Sequence, residues 1–202
     1  MDSAKNNNSG RKQREMHKML LDMIYAALFA AVIAVCSQIQ IPGTVPFTLQ
    51  TLGVFVAAGL LGIKGGMLSV FIYILLGAVG LPVFAGFSGG ISVLVGPTGG
   101  YIIGFLFTAL AVGLMADLLG KKIWVLAVGM IVGLLLCYAF GTAWFIIAYT
   151  NSGSSMDIGT ALGYCVIPFL IPDAVKMAVA VIIVNRLNAI LFKLDKSKTK
   201  QV

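Results

Sequence analysis

Asp173 and Lys176 stand three residues apart in the run Ile171-Pro172-Asp173-Ala174-Val175-Lys176, inside a long apolar stretch. A charge at bilayer depth costs at least ~2.5–3.5 kcal/mol on insertion scales, so it marks a position facing a protein interior or a cavity. On a helix, residues i and i+3 share a face and lie close enough to interact. A mutual ion pair would neutralise both charges, yet apolar replacements are often as stable, so neutralisation alone does not account for them. A ligand does. An ammonium attracts a carboxylate, and a carboxylate accepts hydrogen bonds from N–H groups. Pro168 and Pro172 break the helix just upstream, leaving N–H groups near Asp173 for a ligand or solvent.

Three segments (40–46, 82–98 and 150–163) hold no Lys or Arg and are rich in Gly, Pro, Ser and Thr. Gly and Pro at the density of the second are expected to forbid regular helix and to allow close backbone approach. With Phe84, Phe87 and Tyr101 interleaved, that segment reads as a lid over a small molecule. The third includes Asn151-Ser152-Gly153-Ser154-Ser155. Gly96-Pro97-Thr98-Gly99-Gly100 is not a phosphate loop, because no G-x-x-x-x-G-K-[ST] pattern occurs in the chain. An ATP-driven process here would need an ATPase on another polypeptide.

Catalytic and metal chemistry find little support. Cys36, Cys137 and Cys165 lack CxxC or Cys–His spacing and read as small buried apolar residues. His17 has no partner residues for a metal, so neither a metal nor a cofactor is expected. An intramembrane lipid-modifying enzyme, with Asp173 as base and Lys176 as electrostatic stabiliser, is the alternative from another class. It would need a fuller set of acid, base or nucleophile; the interior otherwise offers only Asp22 and Asp117 near its edge.

The elements that hold the pair follow from hydropathy. The chain of 202 residues is 59% hydrophobic and 10% charged, against roughly 45–50% apolar in soluble domains. Long apolar runs recur, so the fold class is an all-α membrane protein. Six spans are expected at 19–39, 47–62, 65–81, 99–119, 123–149 and 164–191. Residues 1–18 form a polar, flexible N-terminal segment, 19–192 the membrane domain, and 193–202 a basic tail. Residues 1–18 do not read as a cleavable signal peptide.

Charge supports the count. Lys5, Arg11, Lys12, Arg14 and Lys18 precede the first span, Lys64 follows the second, and Lys121 and Lys122 follow the fourth. Arg186, Lys193, Lys196, Lys198 and Lys200 close the chain. Basic residues at every second loop place both termini in the cytoplasm. The net charge of +7 therefore reflects topology and anionic lipid, not nucleic acid. In span one, Ala26, Ala30 and Ala34 repeat every four residues, as do Ala27 and Ala31. Such spacing lets another helix approach closely, either within the fold or in a partner.

Four stretches together resemble a known family. They are Val45-Pro-Phe-Thr-Leu-Gln-Thr-Leu-Gly-Val, Leu76-Gly-Ala-Val-Gly-Leu-Pro-Val-Phe, Gly96-Pro-Thr-Gly-Gly-Tyr-Ile-Ile-Gly-Phe and Ile171-Pro-Asp-Ala-Val-Lys. In this order they are similar to the substrate-binding S components of energy-coupling factor (ECF) transporters, and more narrowly to the biotin-specific BioY family. The resemblance implies a six-helix subunit of the cell membrane that binds biotin tightly from outside. It implies docking on a transmembrane T component that rests on two cytoplasmic ATPases; a solitary biotin carrier is the variant without them. It assigns Asp173 and Lys176 to biotin, and physical matching gives Asp173 the ureido N–H and Lys176 the carboxylate. Thr48, Gln50, Phe84, Tyr101 and Trp144 are further candidates for the pocket lining. Ala26 and Ala30, with Ala34 in the same repeat, match the docking surface. Some relatives carry an Arg near the Gly-Pro-Thr-Gly-Gly motif, whereas this chain has none between residues 15 and 185.

Overall fold

In lipid, backbone polar groups must be bonded within their own segment, so an apolar chain of this kind resolves into helices. The computed structural model describes residues 2–43, 45–151 and 156–199, with side-chain surroundings for 12–43, 45–151 and 156–190. The α-helices among the described residues are α1 (Asp2–Gln38), α2 (Gln50–Ala78), α3 (Ile91–Val95), α4 (Gly99–Leu119), α5 (Ile123–Asn151), α6 (Ile158–Cys165) and α7 (Leu170–Thr199). Five helical stretches are long and apolar enough to cross a membrane. The sixth crossing lies inside α2.

Gly62 adopts φ 72°, ψ −165° in the middle of α2, a region open essentially to glycine alone. The chain reverses there. A Cβ on Gly66 would lie 2.7 Å from Ala58 Cα, whereas a continuous helix would hold these residues ~12 Å apart at 1.5 Å per residue. Segments 50–61 and 63–78 are thus an antiparallel hairpin, broken at Gly62 rather than at Ile63–Lys64. Two side chains from the end of α4 clasp the break. Asp117 Oδ2 accepts the Ile63 N–H at 2.9 Å, and Lys121 Nζ donates to the Leu60 carbonyl. An acid at a helix start and a cation at a helix end both suit the macrodipole. Burial of its stem holds the Lys121 ammonium below the usual lysine range, against the opposing pull of Asp117.

The first arm of the hairpin is short because protein, not lipid, surrounds it. Every residue from Gly53 to Gly59 is buried. Gly53 lies under Ile33 and Cys36 of α1, and Gly59 under Val184 of α7. Close approach at glycine recurs between α4 and α5, where Gly104 meets Cys137 and Gly133 meets Thr108. Thr108 Oγ1 donates across to the Gly133 carbonyl at 3.0 Å.

Several expectations change. Ala26 and Ala30 retain 0% and 1% of their surface, because α1 packs along α2; Ala34 is partly buried against the core. Their repeat serves the internal contact, while Ala27 and Ala31 face outward. The polar N-terminal segment and most of the C-terminal tail continue α1 and α7 as helix; neither contains a proline, and propagating an existing helix is cheap. The last apolar stretch, Ile158–Ile190, is not one continuous helix: α6 and a 3-10 turn at Ile167–Phe169 that contains Pro168 precede α7.

The connecting segments gather at the bundle end that carries Asp173. Gln40–Ile41 (β1) and Phe47–Thr48 (β2) pair antiparallel, Gln40 opposite Thr48. Contrary to the expectation from its glycines, segment 82–98 contains a 3-10 turn at Ala85–Phe87 and the helix α3. Side chains at the end of α1 tie it down: Ser37 donates to the Val83 carbonyl at 2.6 Å, and Gln38 donates to the Phe84 carbonyl at 3.1 Å. Gln38 also accepts the Phe87 N–H at 2.9 Å. Of the third segment, residues 152–155 lie outside the described residues.

Candidate functional site

Asp173 lies in the first turn of α7, where the missing N–H of Pro172 costs nothing and a negative charge suits the helix dipole. Lys176 lies one turn on. Both are buried, at 2% and 5% exposure. Lys176 Nζ donates to Asp173 Oδ1 at 2.7 Å. Thr51 Oγ1 donates to the same oxygen at 3.2 Å, and the Tyr138 hydroxyl donates to Oδ2. Asp173 therefore receives three donors, leaving roughly one of its four lone-pair sites. Lys176 Nζ also sits 4.1 Å above the centre of the Phe47 ring, a cation–π contact. Phe47 in turn stacks on Phe169 at 6.0 Å.

The pair faces a cavity of about 60 Å³ lined also by Thr48, Gln50, Tyr101 and Phe105. A second chamber of about 100 Å³ shares Val45, Pro46, Gln50, Tyr101 and Phe105 with it, and its far side is Phe84, Ser88 and Thr98. The two adjoin along these shared residues, with the charged pair on the first. Its wall groups are already oriented: Thr48 Oγ1 bonds Gln50 Oε1 at 2.9 Å, and Tyr101 bonds Thr142 at 2.9 Å. Gly141 makes room for Tyr101, since a Cβ there would lie 2.3 Å from the ring. Val45 and Phe169 are a partition, lining both the inner cavity and an apolar groove of about 370 Å³ on the outside.

Of the residues expected at the site, Asp173, Lys176, Thr48, Gln50 and Tyr101 come together around the first cavity. Phe84 reaches only the second chamber. It is fully buried, edge-on to Tyr73 at 5.4 Å and seated over Gly77, so it also anchors segment 82–98. Trp144 lines neither chamber. Its indole packs over Gly100 and donates to the Gly96 carbonyl at 3.0 Å, fixing the glycine-rich turn instead. Thr51, Tyr138 and Phe47 escaped sequence reasoning as site residues. Thr51 had a usable signal, sitting three residues after Thr48; Tyr138, one of several hydroxyls on an apolar helix, had none that defined its face. Among the described residues no cluster of His, Cys, Asp and Glu could hold a metal.

Chemically, the Asp173–Lys176 pair presents an acceptor and a donor side by side with no net charge. It suits a neutral ligand group carrying both N–H and C=O, with an apolar remainder lying along the aromatic walls.

The BioY family matches residues 7–193. The biotin transporter BioY of Thermotoga maritima is 46% identical over 167 residues, 82% of this chain and 95% of that protein. A probable biotin transporter BioY of Pyrococcus horikoshii is 44% identical, over 80% of this chain and 93% of that protein. The crystal structure of an S-component for biotin from an ECF-type ABC transporter superimposes with a TM-score of 0.76 at 29% identity, covering 86% of this chain and 93% of the other.

Proposed function

The chain belongs to the BioY family, and from that premise we propose how it binds biotin as the S component of an ECF-type transporter in the cell membrane. The observation that carries the reading is the buried, mutually paired Asp173 and Lys176 beside a cavity walled in part by Tyr101, Phe105 and Tyr138. The ureido ring of biotin offers two N–H groups and one C=O. Asp173 accepts an N–H through its remaining lone pair, and Lys176 donates to the ureido oxygen. This departs from giving Lys176 the carboxylate. Its charge is already spent on Asp173 at 2.7 Å, and a ligand carboxylate beside it would face that aspartate as a like charge. Tyr138 and Thr51 hold Asp173 in place, and Phe47 holds Lys176. The hydrocarbon of biotin lies along Tyr101 and Phe105 toward the second chamber.

The end rich in Lys and Arg faces the cytoplasm, which puts the chamber on the outer side. Segment 82–98 closes over bound biotin. A T component with two ATPases then reorients the subunit so that biotin leaves on the inside. The face offered to the T component is the outward side of α1, where Ala27 and Ala31 lie flanked by exposed Ile24, Leu28 and Val35. Small residues there permit close helix approach in lipid.

Calorimetric titration of the detergent-purified protein with biotin is the primary test. Binding below micromolar concentration is expected; its absence removes the proposal. Ala27→Trp and Ala31→Trp should block assembly with the T component, read by co-purification, and leave biotin affinity unchanged. Ala26→Trp and Ala30→Trp should instead lower the melting temperature.

A further inference from the structure

The chamber end of the bundle holds a single cation. Between Lys18 and Arg186 the chain has no Arg or His, and its lysines there are Lys64, Lys121, Lys122 and Lys176. The first three sit at the Gly62 turn and the α4–α5 junction. They are separated from Gly99 by the 21 residues of α4, ~30 Å at 1.5 Å per residue. Lys176 is engaged by Asp173 at 2.7 Å. The polar side chains on the second chamber are Gln50, Ser88, Thr98 and Tyr101, all neutral. A ligand carboxylate at this end therefore meets no cation that is not already paired.

Resting on the biotin reading above, we infer that this site recognises biotin through its ureido ring and leaves the carboxylate to neutral donors and solvent. Biotins whose carboxylate is esterified or amidated are then also ligands. An ester forfeits no ion pair here, and it escapes the cost of bringing a carboxylate into the chamber without a counter-charge. A ring-reading site equally rejects acids that share the carboxylate-bearing chain of biotin but lack the urea.

The test is competition against labelled biotin on the purified full-length protein, using biotin methyl ester, biotinamide and lipoate. The ester and amide are expected to bind within about tenfold of biotin, because a lost charge-assisted contact would cost more than about tenfold. Lipoate is expected not to compete. Either neutral analogue falling more than about tenfold below biotin shows a charge reading the carboxylate and overturns the inference. Competition by lipoate overturns it equally. Failure of biotin itself to bind removes the proposed function first, and is seen in the same titration.

Discussion

Two Asp–Lys pairs of nearly equal spacing occupy opposite ends of this molecule and do different work. Asp173 and Lys176, at i and i+3, are buried and bonded to each other at 2.7 Å beside a cavity. Asp117, in the last turn of α4, and Lys121, just past the helix end at Gly120, bond separately to the chain opposite. Asp117 takes the Ile63 N–H, and Lys121 gives its hydrogen bond to the Leu60 carbonyl. The second pair closes a backbone break whose polar groups would otherwise be unmet. The first follows the break between α6 and α7, yet its bonds go to side chains and not to that backbone. Its polar groups are satisfied mutually, yet held open toward a space, which is the arrangement a ligand can enter. Nearness in sequence makes a pair possible; what the neighbouring chain leaves unbonded decides its use.

The comparison breaks most sharply at Lys176. Lys176→Met leaves a buried aspartate without its counter-charge, which costs about 3–5 kcal/mol; a large fall in melting temperature and loss of biotin binding are expected. Adding Asp173→Asn should restore the melting temperature but not the binding, measured by thermal unfolding and calorimetry on the same preparation. A double variant that binds like the parent would make this pair structural, like its counterpart. Gly62→Ala comes next. It forces an alanine into a glycine-only conformation, at about 1–3 kcal/mol, and drives a Cβ to 2.2 Å from Asp117 Oδ1. The melting temperature should fall while the folded fraction keeps its biotin affinity. Lys121→Met is the mildest, removing one bond to a carbonyl for about 0.5–1.5 kcal/mol. It should shift unfolding slightly and leave binding untouched; a change in biotin affinity would couple the two ends.

Legibility differed between the pairs for a physical reason. Two charges within an apolar run are conspicuous wherever they point, so Asp173 and Lys176 could be read directly. Tyr138, which holds Asp173, could not, because a hydroxyl on a helix apolar on every face gives no sign of its direction. The hairpin was legible as two spans, but its turn was not. Gly59, Gly62, Gly65 and Gly66 all permit a break, and the choice rests on Asp117 and on Ala58 meeting Gly66. Likewise the alanine repeats of α1 offered two faces. Contact with α2, through Gly53 under Ile33, turns Ala26 and Ala30 inward and Ala27 and Ala31 outward. The helix α3 arises where glycine content argued against it, in a segment pinned by Ser37 and Gln38 from far along the chain.

By itself the sequence determined the membrane class, six crossing segments, the clustering of Lys and Arg toward one end, and the charged pair proposed as the site. Those properties depend on transfer from water to lipid, which each segment settles almost independently of the others. Only the tertiary structure decided how each helix is rotated, which glycine turns the hairpin, and which hydroxyls and rings enclose Asp173 and Lys176. Those depend on close packing between segments distant in the chain, where a single Cβ or an unmet carbonyl outweighs local preference.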